Sequence, residues 1–245
     1  KTDIAVLKID AKDLPVATLG DSETLEVGDR VMAVGNPFGI GQTVTMGIVS
    51  ALGRGGMGIE DYEDFIQTDA SINPGNSGGA LVDMEGRLMG INTAIISRSG
   101  GNQGLGFAVP VNLVRHVMDE LVKSGKVSRG YLGVMIQDVT PELAKNFNLK
   151  ETTGALVSEV TENSAAGEAG LKPGDVITEF NGKQIRDGRS LRNNAGLLSP
   201  GTKTDVKVLR DGKERAFKVA LRELPGEKAT ASNNSESDGS EEVLA

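Results

Sequence analysis

The chain has 245 residues, with 34 acidic against 26 basic side chains, a formal net charge of -8 and no cysteine. That length allows two ordinary domains and a tail, and the acidic balance argues against a nucleic-acid partner, whose phosphates call for a basic surface. Without cysteine neither a disulfide framework nor a thiolate metal site is available, and no apolar run approaches the roughly 20 residues a helix needs to cross a bilayer.

In chain order, residues 3–9, 30–34, 42–52, 65–68, 80–82, 88–94 and 104–109 read as strands. Turn signals separate them, Gly35-Asn36-Pro37-Phe38-Gly39 and Asp83-Met84-Glu85-Gly86 being the clearest. Many short strands without intervening helices predict a mainly β chain with an antiparallel barrel. Residues 111–123 follow as a helix, since Leu113, Val114, Val117, Met118, Leu121 and Val122 recur at helical spacing.

Within the strand-rich half, Asn73-Pro74-Gly75-Asn76-Ser77-Gly78-Gly79 places a serine between glycines. Glycines permit positive φ and clear space for a substrate backbone, so such a turn can present Ser77 Oγ outward as a nucleophile. The N–H groups of the Gly75-Asn76-Ser77 run, chiefly those of Gly75 and Ser77, can converge on one external point as an oxyanion hole. The same composition also describes an ordinary loop.

The single histidine, His116, falls roughly 150° from the centre of the apolar helix face, beside Asn112, Asp119 and Lys123. It is expected on a solvated surface, out of reach of the serine. Gly53-Arg54-Gly55-Gly56-Met57-Gly58 matches G-x-G-x-x-G, but no helix pattern follows it. A mobile glycine loop is expected rather than a nucleotide site. Glu60, Asp61, Glu63 and Asp64 lack calcium-loop spacing and are expected as solvated acids. No metal site is expected.

After the polar connector 125–130 the pattern changes. Arg129-Gly130-Tyr131-Leu132-Gly133-Val134 precedes a strand. Further on come Gly170-Leu171-Lys172-Pro173-Gly174-Asp175-Val176-Ile177, the Asn181-Gly182 turn, and strands at 205–210 and 215–221. Residues 227–242 are rich in Ser, Asn, Asp and Glu, with too little apolar content to fold.

Asp3-Ile4-Ala5-Val6-Leu7-Lys8-Ile9 together with Asp69 to Leu81 resembles the trypsin-like serine proteases. The whole chain resembles their HtrA/Deg branch, and the segment from Arg129 resembles a PDZ domain. The resemblance implies a partial trypsin-like domain at 1–124, with its second barrel complete and its first mostly missing. A PDZ domain at 129–224 and an acidic linker at 225–245 complete the division. It implies Ser77 as nucleophile, Asp3 as orienting acid, and Ile72 and Leu105 as candidates for the specificity pocket, with both as core residues the alternative. The general base, a histidine preceding the acid, is expected upstream of Lys1. Losing it costs about 10⁶ in kcat, roughly 8 kcal/mol of barrier, so this chain alone is expected to be inactive.

In the second half Tyr131, Leu132, Gly133 and Val134 would bind a peptide carboxylate, with Leu191 lining the pocket for the last side chain. The family further implies periplasmic hydrolysis of unfolded or misfolded polypeptides, assembly as a homotrimer or larger homo-oligomer, and no cofactor. A second reading is a non-catalytic, PDZ-based peptide-binding or chaperone-like module.

Overall fold

The computed structural model describes residues 2–147, 149 and 151–224; the acidic linker expected at 225–245 lies outside them. The chain forms two compact units. One contains Leu7–Arg54 and Phe65–Arg115, and the other contains Lys1–Val6, Gly55–Asp64 and His116–Leu224.

The first unit is a closed antiparallel barrel of six strands. These are β1 (Arg30–Gly35), β2 (Thr43–Arg54), β3 (Phe65–Thr68), β4 (Ala80–Asp83), β5 (Leu88–Ile95) and β6 (Gly106–Pro110), in the order β1-β2-β3-β6-β5-β4. Alternate residues point inward, so Val31 and Ala33 of β1 reach the interior and meet Val49, Ile66, Leu81, Met89 and Ala108. Closure pairs β4 back onto β1, with Met32 opposite Val82, and leaves no free edge inside the barrel.

Residues 3–9 form no strand, contrary to expectation, and Leu7 and Ile9 are exposed. Their apolar composition fits a strand, but no neighbouring strand among the described residues supplies ladder partners. A strand forms only where a neighbouring strand completes its ladder.

Helix α1 (Val111–Ser124) follows the barrel as the 3.6-residue period predicts. The second unit contains β7 (Gly130–Tyr131), β8 (Val134–Asp138), α2 (Pro141–Asn146), β9 (Ala155–Val160), α3 (Ala165–Ala169), β10 (Val176–Phe180), β11 (Lys183–Gln184), α4 (Gly188–Gly196), β12 (Lys203–Arg210), β13 (Lys213–Ala220) and β14 (Arg222–Glu223). Its main sheet runs β13-β12-β10-β9-β8, with β11 paired to β10 and β14 to β7. The core gathers Leu132, Val157, Ile177, Phe180, Leu191, Val206, Val208 and Leu221.

Local chemistry explains the turns. Gly170 closes α3 at φ 87° and Gly174 turns at φ 91°, both favourable only for glycine. That brings the fully buried Asp175 onto Arg210, which donates to it through Nε at 2.5 Å and Nη2 at 2.7 Å and also donates to Gly170 O. Asn181 and Gly182, at φ 51° and 76°, make the tight hairpin between β10 and β11. Among the described residues, no helix is long and apolar enough to cross a membrane.

Candidate functional sites

The Ser77 turn is held from below. Asn76 N–H donates to Asn73 O at 3.0 Å, Gly79 N–H to Asn76 O at 2.9 Å, and Gly78 N–H and Asn92 N–H tie the turn to β5. Phe38 N–H donates to Pro74 O at 2.7 Å, fixing the preceding loop against it. Gly75 sits at φ 97° with its Cα so close to Asn36 that a Cβ would come within 2.5 Å of the carbonyl oxygen. Only glycine fits there.

Ser77 is exposed, and its Oγ donates to Thr93 O at 2.9 Å. Asn76 is 1% exposed and packs against Gly35. Its N–H is spent inside the turn, so of the three residues expected to form an oxyanion hole Asn76 offers no amide. The N–H groups of Gly75 and Ser77 have no acceptor among the described residues.

The segment after β5 returns to this turn, where Asn102 N–H donates to Asn73 Oδ1 at 2.8 Å and Asn102 Nδ2 donates to Ser71 Oγ at 3.1 Å. Ile72 is 1% exposed and lies in the barrel core, the alternative weighed for it from sequence, whereas Leu105 is 37% exposed. Asp3 is exposed, with φ 51°, and belongs to the other unit.

His116 is half-buried rather than solvated, and its Nε2 is sealed from water without a partner. Burial pushes its pKa down. Glu120 pulls against that shift, Arg129 adds to it and Asp119 opposes it. The apolar moment placed the ring away from the face centre but could not register packing from the rest of the unit.

In the second unit the expected carboxylate loop lines a cavity of about 230 Å³, and Tyr131, Leu132, Gly133, Val134 and Leu191 all contribute to it. The Leu132 carbonyl accepts from Ala166 N–H at 2.8 Å and the Gly133 carbonyl from Thr161 N–H at 3.0 Å. With their oxygens engaged, the N–H groups of Leu132 and Gly133 have no acceptor among the described residues. Gly133, at φ 81°, lies where a Cβ would collide with Ser164. Beside the loop, β8 is the edge of its sheet and α4 faces it, with Gly188 N–H donating to Asp138 Oδ1 at 2.8 Å. A cleft with two open amides at its end and an open strand edge along one side suits an extended chain ending in a carboxylate.

Sequence reasoning missed Tyr62 and Arg192 in this wall. The glycine loop lies against α4, where a Cβ on Gly55 would meet the Arg189 side chain, and the residues after it pack there too. Tyr62 lies over Gly196, Arg129 stacks on its ring at 3.9 Å, and Asn193 Nδ2 donates to Glu63 O at 2.6 Å. The expectation of solvated acids fails at Glu63 and Asp64. Glu63 is 3% exposed and accepts from the N–H groups of Met57, Ile59 and Glu60. Burial raises its pKa, but backbone donors at Glu60, Met57, Ile59 and Gly56 together hold it below the ordinary value. Burial pushes the Asp64 carboxyl up to about 6, against the pull of Arg186, Arg189 and Lys183. The available signal was Tyr62 itself, one of only two tyrosines in a chain without tryptophan.

The family model for a trypsin-like peptidase domain matches residues 1–91, and that for a PDZ domain matches 130–221. A solved structure of the HtrA-type protease AlgW with a tripeptide superposes with a TM-score of 0.72 at 51% identity, covering 89% of this chain and 72% of that one.

The chain belongs to the HtrA family.

The periplasmic serine endoprotease DegP of Salmonella typhimurium (strain LT2) is 50% identical over 224 residues, which are 91% of the HtrA-family chain and 47% of the relative. The probable periplasmic serine endoprotease DegP-like of Chlamydia muridarum is 48% identical over 227 residues, 93% of this chain and 46% of its own length. The HtrA-family chain thus spans about half the length of the curated relatives it matches.

Proposed function

We propose that the chain is part of a periplasmic serine endoprotease that hydrolyses unfolded or misfolded polypeptides through an acyl-enzyme. The observation that carries this is the pair of acceptor-free N–H groups on Gly75 and Ser77 beside an exposed Ser77 hydroxyl. In this reading Ser77 Oγ leaves Thr93 O and attacks the scissile carbonyl, and an imidazole takes its proton. Asp3 orients that imidazole, and the two amides bind the oxyanion. His116 is unsuited to the role because its Nε2 is sealed, so the base is assigned to residues outside the chain. Leu105 is the surface candidate for the specificity pocket, which favours modest aliphatic side chains, while Ile72 is buried in the barrel core. No organic cofactor or metal enters the scheme.

The second unit, in the same reading, captures peptide C-termini by adding them to the β8 edge, and the intact protein assembles as a homotrimer or larger homo-oligomer. The test of the catalytic reading is casein cleavage by the chain extended upstream to include its histidine, compared with its Ser77→Ala variant. The variant is expected to lose about 10⁶ in kcat; equal rates would remove Ser77 from the mechanism.

A further inference from the structure

The peptide cleft of the second unit is apolar along most of its wall, with Leu132, Val134, Ile136, Leu191 and Ala195 facing it. Arg192 is the exception. It lines the cleft, its guanidinium lies 5.0 Å from the Tyr62 ring centroid, and it has no carboxylate partner among the described residues. Its neighbours differ: Arg189 reaches Asp187 at 3.4 Å, and the Glu63 carboxylate is occupied by backbone donors.

The position of this cation along the cleft follows from the direction of α4. At its start Gly188 packs on Ile136 and bonds Asp138, far along β8, whereas near its end the Ala195 carbonyl abuts Gly130, beside the carboxylate loop. Helix and β8 therefore run antiparallel, and successive turns of α4 face successive positions of a bound peptide. Arg192 precedes Ala195 by three residues, about 4.5 Å along the helix axis. An extended peptide covers that distance in one to two residues at about 3.3 Å each.

We infer that Arg192 selects peptides carrying an acidic side chain at one of the two positions before an apolar, carboxylate-bearing C-terminal residue. This rests on the proposal that the cleft binds peptide C-termini, and it adds a charge rule to it. An unpaired guanidinium held beside an aromatic ring at the rim of an apolar cleft lacks only a counter-charge. A glutamate at the matching position supplies it, while a lysine there meets repulsion.

The experiment uses the 245-residue chain and fluorescein-labelled heptapeptides ending in leucine, with glutamine, glutamate or lysine at each of the two preceding positions. An amidated version of each serves as the control for the carboxylate. Affinities are read by anisotropy at low and moderate salt. At one of the two positions glutamate is expected to bind about two- to fivefold tighter than glutamine, and lysine weaker by a similar factor, as for a partly exposed ion pair. The ratio should shrink with added salt. Arg192→Gln should flatten the glutamate-to-lysine ratio and Arg192→Glu should invert it. Because each ratio is taken within one variant, a general change in affinity leaves the test intact. Equal binding of the three peptides by the unaltered chain, or an unchanged ratio in Arg192→Glu, overturns the charge rule. Failure of every free-carboxylate peptide to bind, or equal binding of the amides, overturns the C-terminal reading itself.

Discussion

Glu63 and Asp64 are adjacent acids that sit in opposite electrostatic situations. The carboxylate of Glu63 closes a loop by accepting three backbone N–H groups, so its charged form is the stabilised one. Its contribution is present above the ordinary glutamate range and is lost as pH falls through the depressed folded value. Glu63→Gln should therefore cost about 1–3 kcal/mol at neutral pH, seen as a lower melting temperature of the second unit. Asp64 behaves the other way. Its pKa rises from 3.8 to about 6 because burial disfavours the charge. The folded chain then holds a proton that the unfolded chain has released, and stability falls as pH rises through that window. The rise corresponds to roughly 3 kcal/mol. Asp64→Asn should match the parent below pH 4 and exceed it progressively up to neutrality in thermal melts across that range; a constant difference would contradict the assignment. Neither behaviour was legible in the sequence, where four acids in five positions look like a solvated run. Glu63 depends on how its own loop folds back on it, and Asp64 on its burial and on Lys183, Arg186 and Arg189, more than a hundred residues away.

Among the elements, the most legible were those whose chemistry is local. The six barrel strands and α1 appear within a few residues of the periodicity, and Gly130-Tyr131-Leu132-Gly133-Val134 lines a cleft. Helix α2 was missed, although Thr140 caps it by accepting from Leu143 N–H and Pro141 opens it, both readable start signals. The segment 3–9 failed for the converse reason, since its pattern suits a strand but a strand is a property of its neighbours. In the loop proposed to hold a peptide carboxylate the weak point is Gly133. Alanine there would strain a φ of 81° and drive a methyl group into Ser164. Gly133→Ala should weaken peptide binding by at least tenfold and lower stability by about 1–3 kcal/mol. Anisotropy titration and urea denaturation of the same preparation would check both.

At the scale of the molecule, chain order and spatial membership diverge. Gly55–Asp64 lies between two barrel strands in sequence but belongs to the unit that holds the cleft beside α4, through Tyr62, Glu63 and the α4 face. Tyr62→Ala removes a ring that fills the space above Gly196 and stacks with Arg129, and should cost about 3 kcal/mol or more. Hydrogen exchange should then accelerate across 55–64 and α4 while the amides of β1 and β2 keep their protection. Uniform acceleration over both units would show that they do not open separately.

The two margins of the sheet in that unit are not alike. Strand β13 carries Lys213, Glu214, Arg215 and Lys218, charges that discourage another strand from docking. Strand β8 offers only Gln137 and Asp138 near one end, with Met135 59% exposed. An unoccupied β8 is therefore a nucleus for self-association, and concentrated solutions of the chain should cloud or thicken first through that margin. A saturating ligand would act as a plug, and the onset of light scattering should move to higher protein concentration when it is present.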